Sequence, residues 1–177
     1  MPEPIKPPPA QFLRDDVIRG GMDLLLFAHK SHMRHSDAEL AEMGLGRAHH
    51  RCLYFVARRP NLSVGELLGL LGVTKQSLGR VLGALVDNGL IEQRTGEADR
   101  RQRLLRLTPA GEELEHRLFA GLHANMSRAY AASGEEAVSG YWTMMQNLRA
   151  TTRRRSSRHS TRLDGGARRR VTPSPPL

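Results

Sequence analysis

A short polar run at residues 74–80 carries the side chains needed to recognise a phosphodiester backbone and base edges. It offers a cation, an amide and a hydroxyl at Lys75, Gln76 and Ser77, with a second cation at Arg80. Such groups can pair with phosphates and hydrogen-bond base edges when they enter a major groove. The same run is also typical of an ordinary solvated helix face, so its surroundings must decide between the two interpretations.

The polar run opens an amphipathic helix. Apolar residues recur at helical spacing behind it, at Leu78, Val81, Leu82, Leu85 and Val86. Thr74 stands where a hydroxyl caps a first turn, and Gly89 stands where a left-handed residue ends a helix. The sequence therefore predicts a helix over residues 74–88 with its polar residues at the N-terminal end.

A second, shorter helix is predicted directly upstream. Ser63 and Glu66 have the spacing of a capping box, and Gly72 closes the helix two residues before Thr74. Two helices joined by a tight turn that contains glycine, with the second amphipathic, are typical of a helix-turn-helix.

Downstream, two short apolar-rich segments predict a β-hairpin, with strands near residues 90–93 and 104–107. The loop between them is polar and basic: it contains Gly96, Glu97, Asp99, Arg100, Arg101 and Arg103. A hairpin of this composition suits a wing that reaches over a phosphate backbone.

The composition excludes several classes of protein. A chain of 177 residues with 5% aromatic residues favours helices packed through aliphatic side chains. The single cysteine, Cys52, rules out an intramolecular disulfide framework and suits a reducing compartment. No segment resembles a signal peptide or a membrane span, so we expect a soluble cytoplasmic protein without a membrane partner. No nucleophile elbow, phosphate loop or paired-acid motif is present, so we predict that it is not an enzyme and needs no cofactor.

The basic charge is concentrated at one end. Residues 150–177 contain eight Arg and one acid, Asp164, so this segment holds +7 of the net charge of +9. Its Arg, Ser, Gly and Pro content predicts a disordered tail. The high pI is therefore weak evidence for a basic folded surface.

The remaining segments predict a frame of helices. Residues 1–11, with five prolines, are expected to form a flexible, loosely ordered arm, and an apolar stripe follows over about 12–33. After a short helical turn or ordered loop at 36–46, a helix over 47–59 buries Leu53, Val56 and Cys52 and ends at Pro60. Thr108 and Pro109 open a long helical region that breaks at 133–134 and resumes over 135–149.

The predicted fold class is mainly α with a small β-hairpin wing. A winged helix-turn-helix at about 62–107 is flanked by helices at 12–35 and 108–149, within one domain at 12–149. The flanking helices keep apolar faces that the small winged domain cannot cover. Packing against a second copy would bury them and set two recognition helices about 34 Å apart, which suits a near-palindromic DNA site.

The order of elements and the residues themselves resemble the MarR family of bacterial transcriptional regulators. The resemblance is carried by the block ELLGLLGVTKQSLGRVLGALVDNGLIEQR and by the wing DRRQRLLRLTPAG. In the wing, the family's signature falls on Asp99, Arg101, Leu107, Thr108 and Gly111. The match is looser from Phe12 to Arg149.

The resemblance implies a homodimer that binds double-stranded DNA, with the recognition helix in the major groove and the wing tip in the minor groove. The recognition helix would contribute Thr74, Lys75, Gln76, Ser77 and Arg80. In the wing, Asp99 would orient Arg101 into the minor groove, and Arg100 and Arg103 would contact the backbone. Many relatives are repressors released by a small ligand, so a small-molecule effector is an expected partner, although no residue can be assigned to its site.

Two groups of residues have alternative interpretations. Cys52 lies inside the second predicted helix, which favours a buried structural cysteine over a reactive thiol. His29, His32 and His35 are spaced three apart and could share a metal, but solvated histidines are the commoner case and we assign no metal site.

The predicted function is a sequence-specific transcriptional regulator, acting as a homodimeric repressor of the MarR type. The alternatives are a nonspecific nucleic-acid- or chromosome-associated basic protein and a metal-responsive regulator that uses the histidine cluster.

Overall fold

The computed structural model describes residues 11–97 and 99–163, so the Pro-rich arm lies almost entirely outside the described residues. The helices are α1 (Asp15–Glu42), α2 (Arg47–Arg58), α3 (Val64–Leu71), α4 (Lys75–Asp87) and α5 (Pro109–Leu163), and the strands are β1 (Leu62–Ser63), β2 (Ile91–Thr95) and β3 (Arg103–Leu107). The mainly helical fold with a small β wing is confirmed. No helix within the described ranges is long and apolar enough to cross a membrane.

The chain divides into two compact units between Ser127 and Arg128. The first unit contains α1 to α4, the sheet and the beginning of α5, around one core. That core consists mainly of leucines from the helices, together with Ile91 and Leu105 from the sheet. Leu53, Val56 and Cys52 of α2 are buried as predicted, since each exposes at most 1% of its surface.

The sheet has the order β1-β3-β2, and both pairings are antiparallel. In the hairpin, Ile91 pairs with Leu107 and Thr95 pairs with Arg103, while Leu62 of β1 pairs with Leu105. The hairpin strands were predicted from their apolar residues. The two-residue strand β1 was not, because a segment this short has no periodicity of its own.

The first helix differs from its prediction. Residues 36–46 were expected to form a separate short helical turn or an ordered loop, whereas α1 continues without interruption to Glu42. The added turns are held by tertiary contacts, since Ser36 and Leu40 are both fully buried. The Arg47 guanidinium also donates to both carboxylate oxygens of Asp37 and holds the pKa of that carboxyl below its usual value.

The beginning of α5 holds the end of α4 in place. Thr108 caps α5, as predicted, by accepting from the Gly111 amide at 3.1 Å. Its hydroxyl also donates to the Gly89 carbonyl at 2.6 Å, and its amide donates to the Leu90 carbonyl at 3.1 Å. Gly111 itself packs against the Leu90 backbone so closely that an ideal Cβ there would overlap the Leu90 carbonyl oxygen. Only glycine fits at this contact.

The second unit contains the rest of α5. The predicted break at residues 133–134 is confirmed, since Gly134 has a φ of 79° and a ψ of 167° inside the helical range. The helical backbone continues to Leu163, beyond the boundary at 149 where a disordered tail was expected to begin. Serine, threonine and arginine all tolerate a helix, and cations near a helix C-terminus are favoured by its dipole. The remainder of the predicted tail, residues 164–177, lies outside the described residues.

Candidate nucleic-acid interface

The helix-turn-helix is fixed by capping at both of its helices. Glu66 accepts from the Ser63 amide at 2.9 Å, while the Ser63 hydroxyl accepts from the Glu66 amide at 3.2 Å, which is the predicted capping box. Gly72 ends α3 with a φ of 62°, in the left-handed region. The next helix then begins after Thr74, whose hydroxyl accepts from the Ser77 amide at 3.2 Å.

The two faces of α4 have different roles. Leu78, Leu82 and Leu85 are buried and anchor the helix in the core of the first unit. Three other side chains from the polar run are exposed and have no side-chain partner within the described residues: Lys75, Gln76 and Arg80. One face thus fixes the helix, and the other presents an amide and two cations to solvent.

The hydroxyls of Thr74 and Ser77 are engaged with each other. Thr74 Oγ1 donates to Ser77 Oγ at 2.9 Å and also accepts from the Ser77 amide. Thr74 therefore has a clear local role as the N-cap of α4. Ser77 keeps its own hydroxyl proton for an external acceptor.

The loop at the tip of the wing is closed by two backbone hydrogen bonds. The Gly96 amide donates to the Gln102 carbonyl, and the Gln102 amide donates to the Asp99 carbonyl, each at 3.0 Å. A Cβ on Gly96 would lie 2.8 Å from the Asp99 carbonyl oxygen, so glycine is required there by close approach rather than by φ. These hydrogen bonds close the loop that carries the basic residues.

Three of the predicted wing residues form hydrogen bonds with their neighbours. Asp99 Oδ1 accepts from the Arg101 backbone amide at 2.9 Å, so the carboxylate fixes the Arg101 main chain rather than its guanidinium. Arg103 donates to the Thr95 hydroxyl at 2.6 Å across the hairpin. The Arg100 and Arg101 guanidinium groups are exposed and have no partner in the part of the chain that the structure describes.

Two further cations on the hairpin were not predicted as site residues. Arg94 and Arg106 lie on the face of the hairpin opposite to the buried Ile91 and Leu105, and both are exposed. Arg94 pairs with Glu92 on the same strand at 2.8 Å. Successive side chains of a strand point to opposite faces, so the positions of Arg94 and Arg106 in β2 and β3 could have predicted that they lie on this exposed face.

The single cysteine is buried. Cys52 exposes 1% of its surface, and burial raises the pKa of its thiol to about 11. A thiol with so high a pKa holds almost no thiolate near neutral pH. The interpretation of Cys52 as a buried structural residue is confirmed.

The histidines do not form a metal cage within the described ranges, where no group of three His, Cys, Asp or Glu side chains converges. His32 Nδ1 lies 3.2 Å from the Asn125 amide nitrogen, and His49 Nδ1 accepts from the Gly46 amide at 3.0 Å. His50 is buried, and this burial lowers the pKa of its imidazole. His32 and His49 are thus engaged within the fold, and His50 is buried.

Large apolar side chains are exposed on both units. Along α1 they include Ile18, Met22, Leu25, Leu26 and Phe27, with exposed fractions between 45% and 66%. In the second unit, Trp142, Met144 and Leu148 are each more than half exposed. Patches of this kind on a folded chain mark an interaction surface.

Comparison with known proteins identifies the family. A MarR family sequence profile matches residues 43–102, which include the whole helix-turn-helix and most of the wing. The HTH-type transcriptional regulator PetP of Rhodobacter capsulatus is 41% identical over 144 residues, which cover 81% of this chain and 87% of that protein. A crystal structure of MarR superposes with a TM-score of 0.63 at 23% identity, covering 82% of this chain and 97% of the other. Staphylococcus aureus MarR, in complex with salicylate and kanamycin, superposes with a TM-score of 0.66 at 16% identity, covering 82% and 98%. This chain belongs to the MarR family of winged helix-turn-helix, DNA-binding transcriptional regulators.

Proposed function

We propose that the chain acts as a homodimeric repressor that recognises a near-palindromic site in double-stranded DNA. The observation that carries the proposal is the α4 surface: Lys75, Gln76 and Arg80 are exposed and unpartnered among the described residues, on a helix whose other face is buried. Donors held in this way can read base edges without first breaking an internal contact. Its place of action is the bacterial nucleoid in the cytoplasm.

In this proposal the wing supplies the second contact. Arg101 enters the minor groove, and Arg100 and Arg103 bind the phosphate backbone on either side. A narrow minor groove has a strongly negative potential, which favours an inserted guanidinium. The loop closure at Gly96 supports this role, because the backbone hydrogen bond to Gln102 and the close approach to Asp99 limit the positions that the tip can adopt.

Release by a small ligand is the remaining part of the proposal. It is supported by the fold shared with Staphylococcus aureus MarR, whose structure contains salicylate and kanamycin. Repression would end when such a ligand favours an arrangement of the dimer that no longer fits the site. Ligand titration into the protein–DNA complex, with dissociation as the expected result, tests this part.

Sequence preference is the first test of the proposal. We expect the protein to bind the DNA upstream of its own gene in the presence of excess unrelated duplex, with a footprint that contains an inverted repeat. Arg80→Ala is expected to lower affinity by about ten- to a hundred-fold and to relax the preference at one position of each half-site. Binding measured across a set of single-base variants of the footprint gives both values.

A control variant separates recognition from general charge. Arg51 lies on α2, is exposed and belongs neither to the helix-turn-helix nor to the apolar face of α1, so Arg51→Ala removes the same charge and is expected to leave affinity and preference unchanged. Equal binding to all duplexes by the natural protein would refute the proposal in favour of a nonspecific basic protein. An Arg80→Ala variant with unaltered preference would refute the role of Arg80.

The dimer is tested at the exposed apolar face of α1. Leu25→Asp places a charge where burial against a second copy is proposed, and we expect the mass in solution to fall from twice 19.7 kDa to 19.7 kDa. Leu70→Asp, at an exposed leucine of α3 outside the proposed interface, is the matched control and should remain dimeric. Light scattering measures both masses, and a dimeric Leu25→Asp variant would exclude this face from the interface.

A further inference from the structure

The outer face of the wing hairpin carries two cations that the proposed DNA contacts do not use. In the register of the hairpin, Arg94 lies opposite Leu104, and Glu92 lies opposite Arg106. Because successive side chains of a strand point to opposite faces, these four residues share one face, and Arg103 lies on the other. Both Arg94 and Arg106 are exposed.

Arg94 is the cation of this face that lies nearer the tip of the wing. The last pair of the hairpin is Thr95 with Arg103, and the pair before it is Arg94 with Leu104. Arg106 lies two positions further from the tip, which is roughly 7 Å along the strand. Directly behind the tip loop, the hairpin therefore carries one arginine on each face, Arg103 on one and Arg94 on the other.

A wing that enters a minor groove has a sugar–phosphate backbone on each side, because the groove is only about 6 Å wide. The Arg103 guanidinium lies on one side of the hairpin, where it donates to the Thr95 hydroxyl at 2.6 Å. Arg94 projects from the opposite face, so the second backbone is the one within its reach. A guanidinium suits this position, since its planar set of donors matches two phosphate oxygens.

The ion pair that Arg94 forms in the free protein does not prevent this contact. Its guanidinium lies 2.8 Å from the carboxylate of Glu92, and the Arg94 and Glu92 side chains remain 58% and 39% exposed. An ion pair this exposed contributes little to stability, because water screens it. A phosphate can therefore replace Glu92 as the partner of Arg94 at small cost.

We infer that Arg94 is a further DNA-binding residue, which leaves Glu92 and binds a phosphate on the side of the wing opposite to Arg103. The inference rests on the proposed function, because insertion of the wing tip is what brings a backbone to each face of the hairpin. A phosphate carries no sequence information, so the contact strengthens binding to every duplex by the same factor.

The test uses the full chain with Arg94→Gln, and with Arg94→Lys as the variant that keeps the charge. Affinity for the upstream duplex and for an unrelated duplex is measured between about 50 and 200 mM salt. In the Gln variant we expect the slope of log K against log salt to become shallower by about 0.9 for each lost phosphate contact, or about 1.8 for the two wings of a dimer. The ratio of the two affinities should stay unchanged, and the Lys variant should keep the natural slope.

Arg106→Gln is the matched control. It removes the same charge from the same face of the hairpin, but further from the tip, and should leave the slope unchanged. An equal change of slope in Arg106→Gln would overturn the inference, because the effect would then belong to the general charge of the face. A changed ratio of the two affinities in Arg94→Gln would also overturn it, since the contact would then read sequence.

Two results for Arg94 itself would have the same consequence. One is an unchanged slope in the Gln variant with a natural unfolding temperature, and the other is a slope in the Lys variant as shallow as in the Gln variant. Failure of the proposed function has a different signature: the natural protein would show no preference for the upstream duplex, whatever the slopes of the variants.

Discussion

Replacement of Gly111 with alanine is expected to lower the free energy of unfolding by about 2–3 kcal/mol, as overpacking against a rigid backbone does. An ideal Cβ at this position would overlap the Leu90 carbonyl oxygen and lie 2.9 Å from its carbonyl carbon. Neither group can rotate away, since Leu90 is buried and its carbonyl accepts from the Thr108 amide. The substitution therefore pushes the end of α4 away from the beginning of α5. We expect the melting temperature to fall by about 4–12 °C.

Gly69→Ala is the matched control. Gly69 lies in α3, has an ordinary helical backbone and has no neighbour within 4 Å of an added Cβ. Alanine there should leave stability unchanged or raise it by up to about 1 kcal/mol, through its better helix propensity. Chemical denaturation of both variants measures the difference. A Gly111→Ala variant as stable as the natural protein would show that the contact between α4 and α5 is not close-packed in solution.

The local features of the fold could be read from the sequence because each depends on a few neighbouring residues. The capping box at Ser63, the cap at Thr74 and the glycine endings after α3 and α4 are formed within a few residues of one another. The same holds for the break at Gly134. Spacing and residue type determine these features, so no tertiary information was needed.

The features that escaped prediction depend on contacts between distant residues. The last turns of α1 are helical because Ser36 and Leu40 fit into the core and because Arg47, ten residues away, pairs with Asp37. The Thr108 hydroxyl reaches the Gly89 carbonyl across 19 positions. A local pattern predicts that Thr108 caps a helix, but it cannot indicate which other backbone group the same hydroxyl meets.

The sequence predicts which residues of the candidate interface are exposed, but not the contacts they form. The exposed positions of Lys75, Gln76 and Arg80 agree with the amphipathic pattern of α4. For the wing, a role for Asp99 in orienting Arg101 was expected, and the structure specifies that the carboxylate binds the backbone amide. Side-chain periodicity does not report such turns, because their geometry depends on the loop closure at Gly96.

The wing tip is where we expect a large effect on DNA affinity. We expect Arg101→Ala to weaken binding to the upstream duplex by about ten- to a hundred-fold while the dimer stays intact. The guanidinium is exposed and has no internal partner among the described residues, so its removal should weaken DNA binding without destabilising the fold. Affinity measurements and light scattering on the same sample separate these two effects. Arg51→Ala, at an exposed position of α2, is the control for removal of one positive charge.

Asp99 should act through Arg101 rather than on the DNA, since a carboxylate near phosphates would otherwise be repelled. Asp99→Ala removes the acceptor for the Arg101 amide and is expected to weaken binding, whereas Asp99→Asn keeps an acceptor oxygen and should retain most of the affinity. In the double variant with Arg101→Ala, the loss of affinity should be close to that of Arg101→Ala alone, because a positioning residue has no effect once the group it positions is gone. Additive losses of affinity would instead mean that Asp99 and Arg101 contribute separately. If Asp99→Asn bound DNA as weakly as Asp99→Ala, the negative charge of Asp99 would matter more than its hydrogen bond to the Arg101 amide.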